Sequence, residues 1–215
     1  RPIVPHLASA ESDDYISRSD FAEPYIRPSR AGNIHVFDFM NTSSATPSTW
    51  TLGLMRHAKS DWADESLTDH DRPLNGRGRR DAPEMARWLA DQQFLPEVIL
   101  ASTATRVRQT VDGLLSVWTH EPLVLFSQSL YLPSPQTITE QVYCEALCAN
   151  GQRPRAALVV AHNPAMEQLV SQLSGAVTRM PTAAVALFEC EGLNGNSVQR
   201  LRARRRLAVG RPKEI

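Results

Sequence analysis

The stretch Thr51-Leu52-Gly53-Leu54-Met55-Arg56-His57-Ala58-Lys59-Ser60 decides how the chain reads. A short apolar run ends in an arginine and a histidine, and the sequence then turns polar through Asp61, Trp62, Asp64, Asp69 and Asp71. A buried strand delivers reactive side chains to a rim in this way, because ligands of open α/β sheets bind outside the carboxyl ends of the strands. One Arg-His pair after one strand is an ordinary strand end. Two further strand ends carry matching chemistry, however. Val98-Ile99-Leu100-Ala101 runs into Ser102-Thr103-Ala104-Thr105-Arg106, and Ala157-Leu158-Val159-Val160-Ala161 runs into His162-Asn163-Pro164. Three apolar strands therefore release Arg56 with His57, Arg106, and His162 at their ends.

Around these strands the pattern alternates. Asn75-Gly76-Arg77-Gly78 reads as a break, followed by a helix over 80–93 that turns Ala82, Met85, Ala86, Trp88 and Leu89 inward and holds Pro83 in its first turn. A strand over 97–101 leads to a helix over 103–118, capped by Ser102 or Thr103. A strand over 123–126 precedes a helix over 135–149. The strand over 156–161 leads into a helix with Asn163 as N-cap and Pro164 in its first position. A strand over 183–188, a turn over 191–196 and a last strand, in which Val198, Leu201 and Ala203 alternate with arginines, close the chain. Strands alternating with helices predict a mostly parallel sheet covered on both faces, an α/β/α sandwich.

Residues 1–49 are rich in proline and serine and lack periodicity, so they read as an extension, with one apolar stretch, 34–40, able to add an edge strand or pack on the domain. Residues 50–215 form the single domain that 215 residues with 42% hydrophobic content allow. Lys plus Arg and Asp plus Glu number 23 each, so no global field points to nucleic acid or membrane. The arginines at 200, 202 and 204 read as the solvent face of a half-buried strand, not a nucleic-acid surface. No apolar run is long enough to cross a bilayer. Cys144, Cys148 and Cys190 are too few and scattered for a disulfide framework or a zinc site, which fits a reducing, cytoplasmic compartment. No secretory leader is evident in the sequence as it stands.

If Arg56, His57, Arg106 and His162 share one pocket, two permanent guanidinium charges match phosphate oxygens and keep the neighbouring imidazoles unprotonated. A neutral His57, with one ring nitrogen fixed by a hydrogen bond, attacks phosphorus with the other. Adjacent arginines repel a metal cation, and the histidines lack zinc-ligand spacing.

These residues carry a resemblance. Leu54-Met55-Arg56-His57-Ala58-Lys59-Ser60, Asp69-His70-Asp71-Arg72-Pro73-Leu74-Asn75, the segment from Ser102 to Thr110 and Ala161-His162-Asn163-Pro164 together resemble the histidine phosphatase superfamily, and within it the SixA-like phosphohistidine phosphatases. The resemblance runs from about residue 50 to the chain end. It implies a phosphoglycerate mutase-like sandwich and a phosphatase that needs no metal or cofactor and works through a phosphohistidine intermediate. By it, His57 is the nucleophile, Arg56, Arg106 and His162 clamp the phosphate, and Arg72 joins them. The partner is a phosphorylated protein or small phosphorylated compound, with no nucleic acid or membrane.

Ala58 stands where the superfamily more often has glycine, a change that points to the SixA-like branch. Many members supply an acidic proton donor between the second arginine and the second histidine. Glu121, Glu140 and Glu145 fall there without matching context, which leaves Asp61, Asp64, Asp69 and Asp71 as possible donors and tilts the substrate toward a P–N bond or an activated ester. A mutase-like phosphotransferase and a non-catalytic phosphate-binding module are the competing readings.

Overall fold

The computed structural model describes residues 49–146, 154–191 and 201–213. Of the expected extension 1–49, Thr49 opens the first strand, and residues 1–48, with the apolar stretch 34–40, lie outside the described residues, as do Cys148 and Val198.

Six strands form one sheet: β1 (Thr49–Arg56), β2 (Val98–Ser102), β3 (Leu123–Ser127), β4 (Ala156–Ala161), β5 (Val185–Glu191) and β6 (Ala203–Gly210), in the spatial order β3-β2-β4-β1-β5-β6. The first four in that order are parallel, and β5 and β6 add antiparallel. Helices α1 (Gly76–Asp91) and α2 (Thr105–Leu115) cover one face, while α3 (Pro135–Gln141) and α4 (Ala165–Ser174) cover the other. The expected three-layer α/β sandwich is present.

Strand β1 sits centrally because it is apolar on both faces. Leu52 and Leu54 pack under α4 and Met55 packs under α1, all without solvent exposure, each side chain contributing about 1.5–3 kcal/mol by burial. Gly53 lies where a Cβ would meet Leu158 Cδ1 at 2.8 Å and Phe94 Cζ at 2.9 Å, so a side chain there would require those two to shift.

Several boundaries differ from the sequence expectations. Asn75-Gly76-Arg77-Gly78 starts α1 instead of breaking the chain: the Asn75 side chain accepts from the Gly78 amide at 2.9 Å and caps the helix. Pro83 consequently lies in the helix interior, and Trp88 is only half-buried. Helix α2 has Ala104 at its N-cap with no side-chain cap, since the Ser102 and Thr103 hydroxyls are engaged elsewhere. Asn163 does not cap α4 either. Its side chain donates to the Met180 carbonyl at 3.0 Å, the Asn163–Pro164 peptide is cis, and the helix begins at Ala165 with Pro164 at its N-cap. Helix α3 gives way to a π-helical turn over Val142–Ala146. The last strand begins at Ala203, later than expected, and its register against β5 shifts twice.

The connections place a site. From β1 the chain leaves through α1 on one face, and from the adjacent β4 it leaves through α4 on the other. Diverging exits open a crevice outside the carboxyl ends of two neighbouring parallel strands. Arg56 and His57 end β1 there, and His162 follows β4.

Candidate active site

The β1 end is tightly fixed. The His57 amide donates to Ala161 O at 3.1 Å, continuing the β1–β4 ladder. The Ala183 amide donates to both Arg56 O and His57 O, with Ala183 itself at φ 62°, a left-handed conformation seldom adopted by alanine. The Ala58 amide donates to the Thr110 hydroxyl at 3.1 Å, which in turn donates to Arg106 O at 2.7 Å. One buried hydroxyl thereby joins the loop after β1 to the helix that carries Arg106.

His57 is 7% exposed, and its Nδ1 lies 2.7 Å from Ala58 O. A carbonyl only accepts, so Nδ1 carries the proton and the Nε2 lone pair is free. Burial pushes the imidazole down to about 3. The bond to Ala58 opposes the shift, and the Arg106, Arg56 and Arg72 charges add to it. His57 is therefore neutral at any working pH.

His162 stands with its ring centroid 5.0 Å from that of His57. Its Nδ1 is 3.3 Å from Arg106 Nη2 and its Nε2 is 2.9 Å from Ser102 Oγ. Since a guanidinium only donates, Nδ1 accepts and Nε2 holds the proton toward Ser102. Burial, then the neighbouring His57 and Arg106, push His162 down to about 3 as well.

Three guanidiniums converge on the two imidazoles. Arg56 donates from Nη1 to Met180 O at 3.0 Å, Arg106 is 3% exposed, and Arg72 is 7% exposed beneath the exposed Trp62 ring, 3.3 Å from its centroid. Arg56 Nε, Arg72 Nε and Nη1, and Arg106 Nε are buried without a hydrogen-bond partner. Four unpaired buried donors around a neutral histidine are a costly arrangement in an unliganded protein. Donors of this kind have the chemistry to hold an anion with several oxygens.

All five residues singled out from the sequence, Arg56, His57, Arg72, Arg106 and His162, are thus brought together. Three further groups complete the surroundings. Asp69 accepts from Arg72 Nη2, from Arg106 Nη2 at 2.9 Å and from the Tyr131 hydroxyl at 2.8 Å. Burial pushes its carboxyl up, but the Tyr131 bond and the Arg106 and Arg72 charges outweigh this and hold it at about 2. Ser102 orients His162, a role hidden behind its expected one as a helix cap. Thr110 ends the Ser102–Thr110 segment, with nothing local to mark its bond to the Ala58 amide.

The other loop acids have local partners. Asp61 accepts from the Ala63 amide, Asp64 from Ser66, and Asp71 from Thr68 and His70. Glu140 accepts from Gln136. Among the described residues, no group of three or more His, Cys, Asp or Glu could hold a metal ion, and no helix is long and apolar enough to cross a membrane.

A scan of family models matches residues 52–125 to the histidine phosphatase superfamily, branch 1. An uncharacterized chloroplastic protein of Arabidopsis thaliana is 34% identical over 161 residues, covering 69% of this chain and 72% of its own. An uncharacterized protein of Mycobacterium tuberculosis is 34% identical over 151 residues, covering 64% of this chain and 88% of its own. In structure the chain is similar to the candidate phosphohistidine phosphatase SixA of Agrobacterium tumefaciens, with a TM-score of 0.58, 28% identity, and coverage of 74% of this chain and 97% of that one. With sheet order, site geometry and family model in agreement, the chain belongs to the histidine phosphatase superfamily. Its likeness to the Agrobacterium structure puts it in the SixA-like branch, and phosphatase chemistry is the class of activity that goes with it.

Proposed function

We propose that residues 50–215 form a phosphohistidine phosphatase that needs no metal and in which His57 accepts the phosphoryl group. The observation that carries this reading is the fixed tautomer of His57, with Nδ1 bound to Ala58 O at 2.7 Å and Nε2 free among guanidiniums with unpaired donors. Arg56, Arg106 and Arg72 grip the phosphoryl oxygens. His57 Nε2 forms a bond to phosphorus as the bond to the leaving group breaks, and negative charge spread over the equatorial oxygens is met by the three cations. Water then attacks the phosphorylated His57, the P–N bond breaks, and inorganic phosphate and a neutral imidazole remain.

His162 takes up a proton as the dianion arrives, because the anion reverses the electrostatics that keep it neutral. As an imidazolium braced by Ser102, it donates from Nδ1 to a phosphoryl oxygen.

The acids near the site favour a P–N substrate. Asp69 is held at about 2, and the hydrogen bonds to Asp64 and Asp71 also lower those carboxyls, so none of the three stores a proton at neutral pH. A departing alkoxide needs such a donor, whereas a phosphohistidine protonated on its other ring nitrogen releases a neutral imidazole, the P–N bonding pair staying on the freed nitrogen. The solved SixA complex with tungstate, a tetrahedral oxyanion, shares this fold at 24% identity and a TM-score of 0.55. A cytoplasmic setting accords with Cys144 and Cys190, neither of which is in a disulfide. The plant relative's name, however, specifies the chloroplast.

The test incubates wild type and His57→Ala with a phosphohistidine protein, a sugar phosphate and an activated aryl phosphate, then traps the enzyme and seeks acid-labile label. We expect turnover of the phosphohistidine and aryl substrates, label on wild type only, and a loss of about three orders of magnitude or more in the variant. Label with unaltered turnover in His57→Ala would refute the assignment. Transfer to an added acceptor would indicate a mutase, and binding without turnover a phosphate-binding module.

A further inference from the structure

The Asp69 carboxylate occupies ground that a substrate anion needs. It pairs with Arg72 Nη2 and Arg106 Nη2 and accepts from the Tyr131 hydroxyl, and the main-chain carbonyl of Asp69 also accepts a hydrogen bond from Arg106 Nη1. Two of the three cations near His57 are thereby paired with an internal anion, while Arg56 Nε, Arg72 Nε and Nη1, and Arg106 Nε are buried without a hydrogen-bond partner. One carboxylate, with a single charge and two oxygens, leaves this set incompletely neutralised. A phosphoryl group brings three oxygens and a second charge.

The partners also differ in their freedom to move. The Arg72 and Arg106 side chains are 9% and 3% exposed, whereas that of Asp69 is 46% exposed and projects from the loop between β1 and α1. The cations are fixed and the carboxylate is the part that can leave.

We propose that Asp69 is a resident competitor for the phosphate clamp: an incoming phosphoryl group takes Arg72 and Arg106 from it, and its return displaces inorganic phosphate at the end of the cycle. The proposal rests on the reading of His57 as a phosphoryl acceptor. It gives Asp69 a positioning role, holding the two guanidiniums in place when no substrate is bound and weakening the grip on product. The opposing picture is a brace that stays put, with phosphate binding only to the unpaired donors. The two pictures part at a variant that loosens Asp69 and keeps its charge: a competitor then yields to phosphate more easily, whereas a brace loses its hold on the arginines.

The probe is orthophosphate, measured by calorimetric titration and as a competitive inhibitor of aryl phosphate turnover, with wild type, Asp69→Asn and Asp69→Glu. For a competitor, removing its charge leaves the clamp more cationic, so Asp69→Asn binds orthophosphate at least about ten-fold tighter, with a lowered kcat as release slows. Asp69→Glu, which keeps the charge, stays nearer wild type. Tyr131→Phe removes one hydrogen bond from Asp69, and with it the hydroxyl's own contact with Arg106, while keeping all three guanidiniums and the Asp69 charge, and it tightens orthophosphate in the same direction by about three-fold or more. This second variant decides the matter should Asp69→Asn fail to fold. Unchanged or weaker orthophosphate binding, in proteins that still label at His57, overturns the competitor alone. Absence of label and of orthophosphate binding in wild type overturns the phosphoryl-acceptor reading and the competitor with it.

Discussion

At His162 the two ring nitrogens face partners of different kinds, Arg106 Nη2 at 3.3 Å and Ser102 Oγ at 2.9 Å, and this asymmetry sets what the residue can do. Ser102 has no solvent exposure. Replacing it by alanine leaves an imidazole N–H buried without an acceptor, and the loss is largest when the ring is charged. Ser102→Ala is therefore expected to lower kcat by about ten- to hundred-fold, the worth of one hydrogen bond to a charged group, with a smaller change in KM. Steady-state kinetics on an aryl phosphate check this, and an unchanged kcat would remove Ser102 from the machinery. Arg56, His57, Arg106 and His162 are legible in the sequence because each follows an apolar run directly or within a few residues, so strand-end logic reaches them. Ser102 and Thr110 are not. Their bonds cross 60 and 52 residues of chain, and a serine after a strand looks locally like a helix cap.

The elements beneath the site meet more closely than a hydrophobic pattern can show. Helix α1 begins against the loop that follows His57: a Cβ on Gly78 would lie 2.3 Å from Lys59 O and 2.9 Å from Lys59 N, both main-chain atoms. No rotamer change relieves such a clash, so either the helix start or the loop two residues beyond His57 must shift. Gly78→Ala is expected to cost about 1–3 kcal/mol in urea denaturation and to lower kcat through displacement of the loop. A variant with wild-type stability and kcat would show that the contact gives way freely. From sequence, Asn75-Gly76-Arg77-Gly78 resembles a break because glycines and asparagine usually mark turns. Here Asn75 caps the helix, and Gly78 is needed for close approach of two backbones, a contact between positions 59 and 78 that no local window contains. The α1, α2, β2 and β4 assignments need only periodicity and apolar runs, and so they are legible. The start of α4 misleads because Asn163 bonds to Met180 O instead of the α4 amides.

Across the whole molecule, two buried imidazoles in one cationic crevice couple the site to folding stability. His57 and His162 are each held at about 3 in the folded chain, against an ordinary value of 6.5. As pH falls below 6.5, the unfolded chain binds protons on both rings and the native chain does not. The unfolded state therefore binds more protons, and unfolding free energy falls with decreasing pH. The slope is about 1.4 kcal/mol per pH unit for each histidine, continuing toward pH 3. The lowered Asp69 carboxyl acts in the same direction only from its ordinary 3.8 down to about 2, and Asp81, raised by burial, opposes the loss in the carboxylate range. Between about pH 6 and 4.5 the histidines dominate. A domain with about 5–15 kcal/mol of stability loses a large share of it across that interval. Urea titrations at pH 7, 6, 5 and 4.5 should show a steadily falling midpoint, and His57→Gln should remove about half of the slope while leaving the fold intact. Orthophosphate added at pH 5.5 should raise the midpoint, because the bound anion stabilises the folded state and offsets the cost of protonating His162. A flat profile from pH 7 to 4.5 would mean that the two imidazoles are charged, or reach water, in the folded protein, and the proposal of a neutral His57 as phosphoryl acceptor would fall with it.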